Sequence, residues 1–241
     1  MNYKFLTPVI LTAILAFNFS SFDTNSTVDS KPKVVAAVIE KKAVTSEEAI
    51  YEKLDSNNLS LPALDVFSEA LKGFQHLKEK GLVSKNILTV IDFSMSSNLN
   101  RLWVIDLNTN SVLFNTLVAH GKNTGDEFAT SFSNVSSSFK SSLGFYATGE
   151  IYVGKHGKSL RLDGLESGIN SNARERAVVI HGADYVSQSF IKNNSRLGRS
   201  LGCPAIPVAL TNDIIQTIKD KSCLFIYYPS NGYKVSSKLI S

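Results

Sequence analysis

The stretch HGADYVSQSFIKNNSRLGRSLGCPAIP, residues 181–207, contains the residues on which the predicted fold and chemistry depend. It starts with His181, directly after the apolar run AVVI, which is typical of a buried strand. It ends in a turn where Cys203 lies between a glycine and a proline. A cysteine attacks as its thiolate and needs a base or a positive environment nearby. We therefore predict Cys203 as a nucleophile and His181 as its base.

Composition excludes several classes of protein. The chain has 241 residues, of which 43% are hydrophobic and 19% charged, enough for one domain with a substantial core. The net charge of +4 is spread along the sequence without a basic run or basic–aromatic interleaving, so no nucleic-acid partner is predicted. The histidines form no close-spaced ligand motif such as HExxH, so no metal and no cofactor are predicted. We expect a monomer.

The N-terminus predicts export. Lys4 precedes an apolar run over 5–19, which is typical of a secretory signal peptide. A small-x-small cleavage site is hard to find, so an uncleaved membrane anchor is the alternative, and the predicted location is the periplasm or cell envelope. The predicted organisation is a signal peptide or anchor (1–22), a linker (23–44), a helical N-terminal segment (45–85), a catalytic domain (86–230) and a C-terminal tail (231–241).

The pattern after Gly81 predicts a domain that is mainly β with a few helices. Short β-branched and aromatic runs alternate with polar turns, and RLWVIDL, NTN and SVLFNTLVA read as a hairpin. Thr45 and Glu48 form a capping-box pattern that opens a short helix, and LPALDVFSEALKGFQHLKEKG predicts an amphipathic one. A further helix is predicted after Pro207. The polar segment 122–142 reads as a loop over a site.

The two cysteines allow two interpretations. In an exported chain a disulfide between Cys203 and Cys223 is the default expectation. The alternative, which we favour, is an inert Cys223 buried in the strand CLFIYYP and a separate, functional Cys203.

Histidine–glycine pairs and the cysteine turn indicate a shared pocket. Three of the four histidines precede a glycine at or after a strand-like run: His120, His156 and His181. A histidine at a strand end places its ring at the rim of a sheet. The tight turn before Pro204 can also aim successive backbone N–H groups at one point and form an oxyanion hole. The candidates are the N–H groups of Leu201, Gly202 and Cys203, since proline has none to give.

These motifs resemble the L,D-transpeptidases of the YkuD-like superfamily, which carry a histidine–glycine pair and then a serine-x-glycine-cysteine turn. The segments IDFS, RLWVIDL, LVAHGKNTG, SSLGFY, GKHGKSLRLDGLE and GCPAIP are similar to the murein L,D-transpeptidase-like subgroup over roughly 86–229. The resemblance implies a β-sandwich-like fold and a cysteine acyl-enzyme acting on peptidoglycan stem peptides. It implies these roles: Cys203 as nucleophile, His181 as base, Gly182 orienting its imidazole, Ser200 and Gly202 shaping the oxyanion turn, and His120, Ser142, Gly144, Tyr146, His156 and Gly157 lining the substrate cleft. From the residues themselves we add Leu201 to the predicted oxyanion turn and Arg199 to the predicted substrate cleft.

The chain departs from the family's commoner turn at two places. Leu201 stands where that turn has histidine, and Pro204 and Ala205 follow the cysteine, where that turn soon has an arginine or asparagine. His120 or His156 could substitute for the missing histidine, and Arg199 or Arg161 could bind a carboxylate. Two rival functions therefore stay open: an L,D-carboxypeptidase with the same site, and a non-catalytic peptidoglycan-binding protein.

Overall fold

The computed structural model describes residues 45–240. The predicted signal peptide or anchor and the linker lie outside these residues. None of the helices it describes has the length and apolar character needed to cross a membrane. The helices are α1 (Ser46–Tyr51), α2 (Leu64–Glu79), α3 (Gln188–Asn194), α4 (Val208–Ile218) and α5 (Asn231–Ser236), and the strands are β1 (Ile87–Asp92), β2 (Leu102–Asp106), β3 (Ser111–Thr116), β4 (Gly144–Gly154), β5 (Gly157–Gly164), β6 (Val179–Gly182), β7 (Ala205–Ile206) and β8 (Cys223–Tyr227).

All the strands belong to one eight-stranded sheet with the order β3-β2-β1-β8-β4-β5-β6-β7. The pairs β1–β8 and β6–β7 are parallel and the other neighbours are antiparallel. The predicted hairpin is present as β2 and β3, which pair from Leu102–Thr116 to Asp106–Ser111. The prediction of a mainly β fold with few helices is confirmed.

The sheet curls until its two ends meet. Ala119, which follows β3 at one end of the strand order, forms a bridge with Ala205 of β7 at the other end. A second bridge joins Gly121 to Ser200. Because both ends of the sheet are joined in this way, the segment that precedes Cys203 is held between β6 and the chain that leaves β3.

Helix α2 covers one face of this sheet. Its apolar positions recur at steps of three and four, which places Phe67, Leu71 and Phe74 on a single buried face. Gly73 lies on the same face because a Cβ there would stand 2.0 Å from the ring of Phe145. The short helix α1 begins with the predicted capping box, in which Thr45 accepts from the backbone of the third helical residue.

Two short helices have no sequence pattern that predicts them. Helix α3 has seven residues and α5 has six, too short for an apolar period to stand out. Helix α5 lies in the predicted C-terminal tail. It packs on the domain, since the Tyr233 hydroxyl donates to the buried carboxylate of Glu166 at 3.0 Å. The loop predicted over 122–142 has neither helix nor strand.

Candidate active site

The last two strands in the sheet order, β6 and β7, bring His181 and Cys203 to one cleft. In the parallel pairing of β6 with β7, His181 lies opposite Ala205, two residues after the cysteine. Both side chains line a cleft of about 430 Å³. Residues distant in sequence thus meet because β6 and β7 are neighbours at the end of the sheet.

His181 is held as a neutral imidazole with one nitrogen free. Its Nδ1 lies 3.0 Å from the carbonyl oxygen of Gly182, and a carbonyl can only accept, so Nδ1 carries the proton. Nε2 has no hydrogen-bond partner within residues 45–240. Burial, and secondarily the neighbouring His156, lower the pKa of His181, and the bond to Gly182 opposes them. A neutral ring with a free lone pair is the form that a general base requires.

The turn that carries the cysteine is shaped by Ser200. Its hydroxyl donates to the carbonyl of Cys203 at 2.6 Å and accepts from the backbone N–H of Gly202 at 3.0 Å. Gly202 has φ +127°, a conformation that glycine adopts without a Cβ clash. Its N–H is therefore engaged inside the turn, which removes one of the three predicted oxyanion donors. For Leu201 and Cys203 the described chain offers the backbone N–H no acceptor.

The side chain of Cys203 is half-buried. Sγ donates to the carbonyl oxygen of Ala177 at 3.7 Å, and no hydrogen bond joins it to His181 within residues 45–240. Burial raises the pKa of Cys203 above its ordinary value, while the backbone N–H of Val179 and the guanidinium of Arg176 act to lower it. At neutral pH both the thiol and the imidazole of His181 are thus uncharged, and the thiolate forms only when the proton is taken from it.

Four other predicted site residues line the cleft around this pair: His156, Arg199, Ser200 and Leu201. His156, from the turn between β4 and β5, stacks on His181 with ring centroids 4.4 Å apart and an angle of 24°. Arg199 is in the lining and donates to Asp126 at 2.6 Å. Leu201, 63% exposed, shows its side chain at the rim.

The other predicted substrate residues lie elsewhere. His120 is 1% exposed, and both of its ring nitrogens form hydrogen bonds in the interior, one with Arg101 and one with the carbonyl of Gly125. Tyr146 is fully buried and donates to the carbonyl of Ser142. The structure thus places both side chains in the interior and outside the lining of the cleft. Outside the lining there are also Ser142, Gly144 and Gly157.

Sequence reasoning missed Arg176, Tyr152 and Tyr185, which line the cleft. Arg176 follows an irregular segment and belongs to no motif, so nothing in the local pattern pointed to it. Its guanidinium nevertheless lies close to the cysteine turn, since a Cβ built on Gly202 would stand 3.4 Å from Nη2 of Arg176. Ser142, although outside the lining, accepts from this guanidinium at 2.6 Å.

The cysteines are not paired. Cys203 faces the cleft, while Cys223 starts β8 with its side chain fully buried. Burial raises the pKa of Cys223, which makes it a poor nucleophile. The disulfide interpretation is wrong, because β8 fixes Cys223 in the core.

The arrangement is therefore a cysteine turn beside a histidine–glycine strand end, on a curled sheet. Residues 60–227 match the family described as the L,D-transpeptidase catalytic domain. Because the match spans most of the chain, the chain belongs to this family. No curated protein sequence matches it.

Solved structures show a distant likeness. An L,D-transpeptidase from Mycobacterium smegmatis is 11% identical, with 59% of each chain covered and a TM-score of 0.38. The helical cell shape determining protein Pgp2 from Campylobacter jejuni is 12% identical, with 66% of this chain and 57% of that one covered and a TM-score of 0.40. The chain thus spans about three fifths of the length of these proteins. At such scores the likeness carries no argument about activity.

Proposed function

We propose that this protein is an exported cysteine acyltransferase that acts on peptidoglycan stem peptides by L,D-transpeptidation. The observation that carries the proposal is the meeting of Cys203 with a neutral His181 in one cleft, inside a domain of the L,D-transpeptidase family. The missing histidine at Leu201 weakens the resemblance at one position, but the pair that the chemistry needs is present.

In the proposed reaction, Nε2 of His181 takes the proton from the thiol of Cys203. The sulfur attacks the carbonyl carbon of an L-centred residue, and the N–H groups of Leu201 and Cys203 stabilise the resulting oxyanion. The tetrahedral intermediate collapses, the C–N bond breaks, and the imidazolium returns its proton to the departing D-amino acid. A thioester remains. An acceptor amine then attacks it, losing its proton to His181, and the thiolate leaves.

The charge of the cleft supports an anionic peptide as substrate. Its lining contains Lys155, Arg176 and Arg199 and no acidic side chain. Stem peptides end in a carboxylate, which such a cleft attracts electrostatically. Arg199 is already paired with Asp126, so Lys155 is the cation best able to move toward the substrate.

The first test is the mass of the intact protein after exposure to a carbapenem, which is expected to acylate the nucleophile of this family. We expect one drug-sized adduct on the native chain and none on Cys203→Ala. Because Cys223 is fully buried, Cys223→Ala serves as the matched control and should keep the adduct. Labelling that persists in Cys203→Ala would move the reaction to another residue and overturn the proposed mechanism.

A second test decides between transfer and hydrolysis. Muropeptides that end in a D-amino acid are incubated with the protein, and the products are separated by mass. Cross-linked dimers support the transpeptidase, and trimmed monomers support the carboxypeptidase. Binding to sacculi without any product, unchanged in Cys203→Ala, would instead support the non-catalytic peptidoglycan-binding protein.

A further inference from the structure

We propose that Arg176 is a positioning residue of this site, a guanidinium fixed against the Cys203 turn whose charge stabilises the thiolate. The inference rests on the proposed nucleophile but requires no knowledge of the substrate. Arg176 lines the same cleft as Cys203, and its Nη2 approaches Gly202 so closely that a Cβ there would stand 3.4 Å away. The next residue, Ala177, supplies the carbonyl that accepts from the thiol.

The hydrogen bonds of Arg176 fix its position. Nη1 donates to the carbonyl of Ser133 at 2.9 Å and to the hydroxyl of Ser142 at 2.6 Å. Nη2 donates to the carbonyl of Lys140 at 2.6 Å and, more weakly, to the hydroxyl of Ser138 at 3.4 Å. These four bonds use all four N–H groups of the two terminal nitrogens. The two terminal nitrogens therefore have no N–H left for a substrate carboxylate, and they act on the cleft through their charge.

All four acceptors of this guanidinium are uncharged. Within residues 45–240 no carboxylate forms an ion pair with Arg176, whereas Arg199 is paired with Asp126 and Arg174 with Glu150 and Asp163. An arginine held by neutral acceptors keeps its field, because no nearby anion cancels it. In the described chain, Arg176 is the single charged side chain that acts to lower the pKa of Cys203.

The same observation accounts for the departure at Leu201. The resemblance places a histidine there, next to the nucleophile, and this chain has none. Arg176 brings a permanent charge to that turn from the segment before β6. The other titratable or charged groups that face the cleft are Tyr152, Lys155, His156, His181, Tyr185 and Arg199.

The experiment measures alkylation of Cys203 by iodoacetamide as a function of pH, read by intact mass. The variant Arg176→Gln removes the charge and keeps hydrogen-bonding capacity, and Arg176→Lys keeps the charge. The matched control is Arg174→Gln, two residues earlier and outside the cleft. Cys223 reports folding, because a fully buried thiol is alkylated only when the domain opens.

We expect Arg176→Gln to raise the pH midpoint of alkylation by about one unit, which slows the reaction roughly tenfold at pH 8. Arg176→Lys should keep most of the native rate, and Arg174→Gln should match the native protein. A folded Arg176→Gln with an unchanged midpoint would overturn the proposal and leave Arg176 as a brace for the 122–142 loop. If the native protein shows no activity on muropeptides while Arg176→Gln still shifts the midpoint, the result counts against the proposed substrate and not against this role of Arg176.

If Arg176→Gln does not fold, Ser142→Ala gives a milder test. It removes one anchor of the guanidinium and leaves the charge in place, so the fork moves while the loop keeps its other bonds. A midpoint that rises by a few tenths of a unit supports the proposal. An unchanged midpoint in folded Ser142→Ala would count against a role that depends on the position of the charge.

Discussion

Two histidine–glycine pairs, His120–Gly121 and His181–Gly182, follow strand-like runs of similar appearance and end in different surroundings. The first ring uses both nitrogens: Nδ1 accepts from Arg101 at 2.8 Å and Nε2 donates to the carbonyl of Gly125 at 3.2 Å. The second uses Nδ1 alone. A buried histidine can act as a base only when one nitrogen keeps a lone pair for the reaction, and only the second pair meets that condition.

The largest difference between the two pairs should appear in catalysis. We expect His181→Gln to slow acylation of Cys203 by about 10²–10⁴-fold, the usual contribution of a positioned general base, with little change in stability. His120→Gln should keep the rate within about tenfold of native and lower the free energy of unfolding instead. Stopped-flow acylation and urea unfolding of both variants test this, and a catalytic defect that is larger in His120→Gln would reverse the assignment.

The two histidine–glycine pairs should also differ in how the stability of the protein depends on pH. Burial, followed by the charge of Arg101, lowers the pKa of His120 to about 4 from an ordinary value of 6.5. As the pH falls, the unfolded chain therefore takes up the proton before the folded chain does. The stability that neutral His120 contributes is fully present above pH 6.5 and is lost as the pH falls toward 4. The loss is about 3 kcal/mol.

The measurement for this prediction is the difference in unfolding free energy between the native chain and His120→Gln from pH 7.5 to 4. Asp92 and Glu166, whose pKa values burial raises, are present in both proteins and cancel in the difference. A difference that stays constant over this range would show that the fold does not lower the pKa of His120.

The glycines of the two pairs give a smaller effect. A Cβ on Gly121 would stand 2.6 Å from the carbonyl of Phe139 and 2.9 Å from Cα of Gly202. On Gly182 it would instead meet the hydroxyl of Thr211 at 2.4 Å. Gly121→Ala should cost roughly 2 kcal/mol and also slow alkylation of Cys203, because the cysteine turn must move. Gly182→Ala should leave that turn in place, which thermal unfolding and iodoacetamide kinetics will check.

The third pair supplies the smallest effect. Gly157 has φ +73°, and a Cβ there would meet nothing within 4 Å, so Gly157→Ala adds backbone strain without a clash. We expect a loss of about 1 kcal/mol and a native alkylation rate. A large drop in the rate would mean that the hairpin which carries His156 controls access to the cysteine.

The sequence predicts the fold more completely than it predicts which residues line the site. Short β-branched and aromatic runs predict β1, β2 and β8, because strands that are buried on both faces read as continuous apolar segments. The pairing of β6 with β7 has no such pattern, since β7 has only two residues. Cys203 and His181 were found through a motif, whereas Arg176 enters the cleft through packing against the 122–142 loop, which no local period records. For the same reason no local pattern indicates that the ring of His120 lies in the interior.

The closed sheet has a consequence for the order of events in folding. The cysteine turn is shaped by partners far back in the chain: Ser141 donates to the carbonyl of Gly202, 61 positions later, and the carbonyl of Ala205 accepts from Ala119. Contacts of such separation form after local ones, because loop closure costs entropy first. A chain still on its way to the native state thus carries an ordinary exposed thiol, and the proposed nucleophile is created in the last steps of folding.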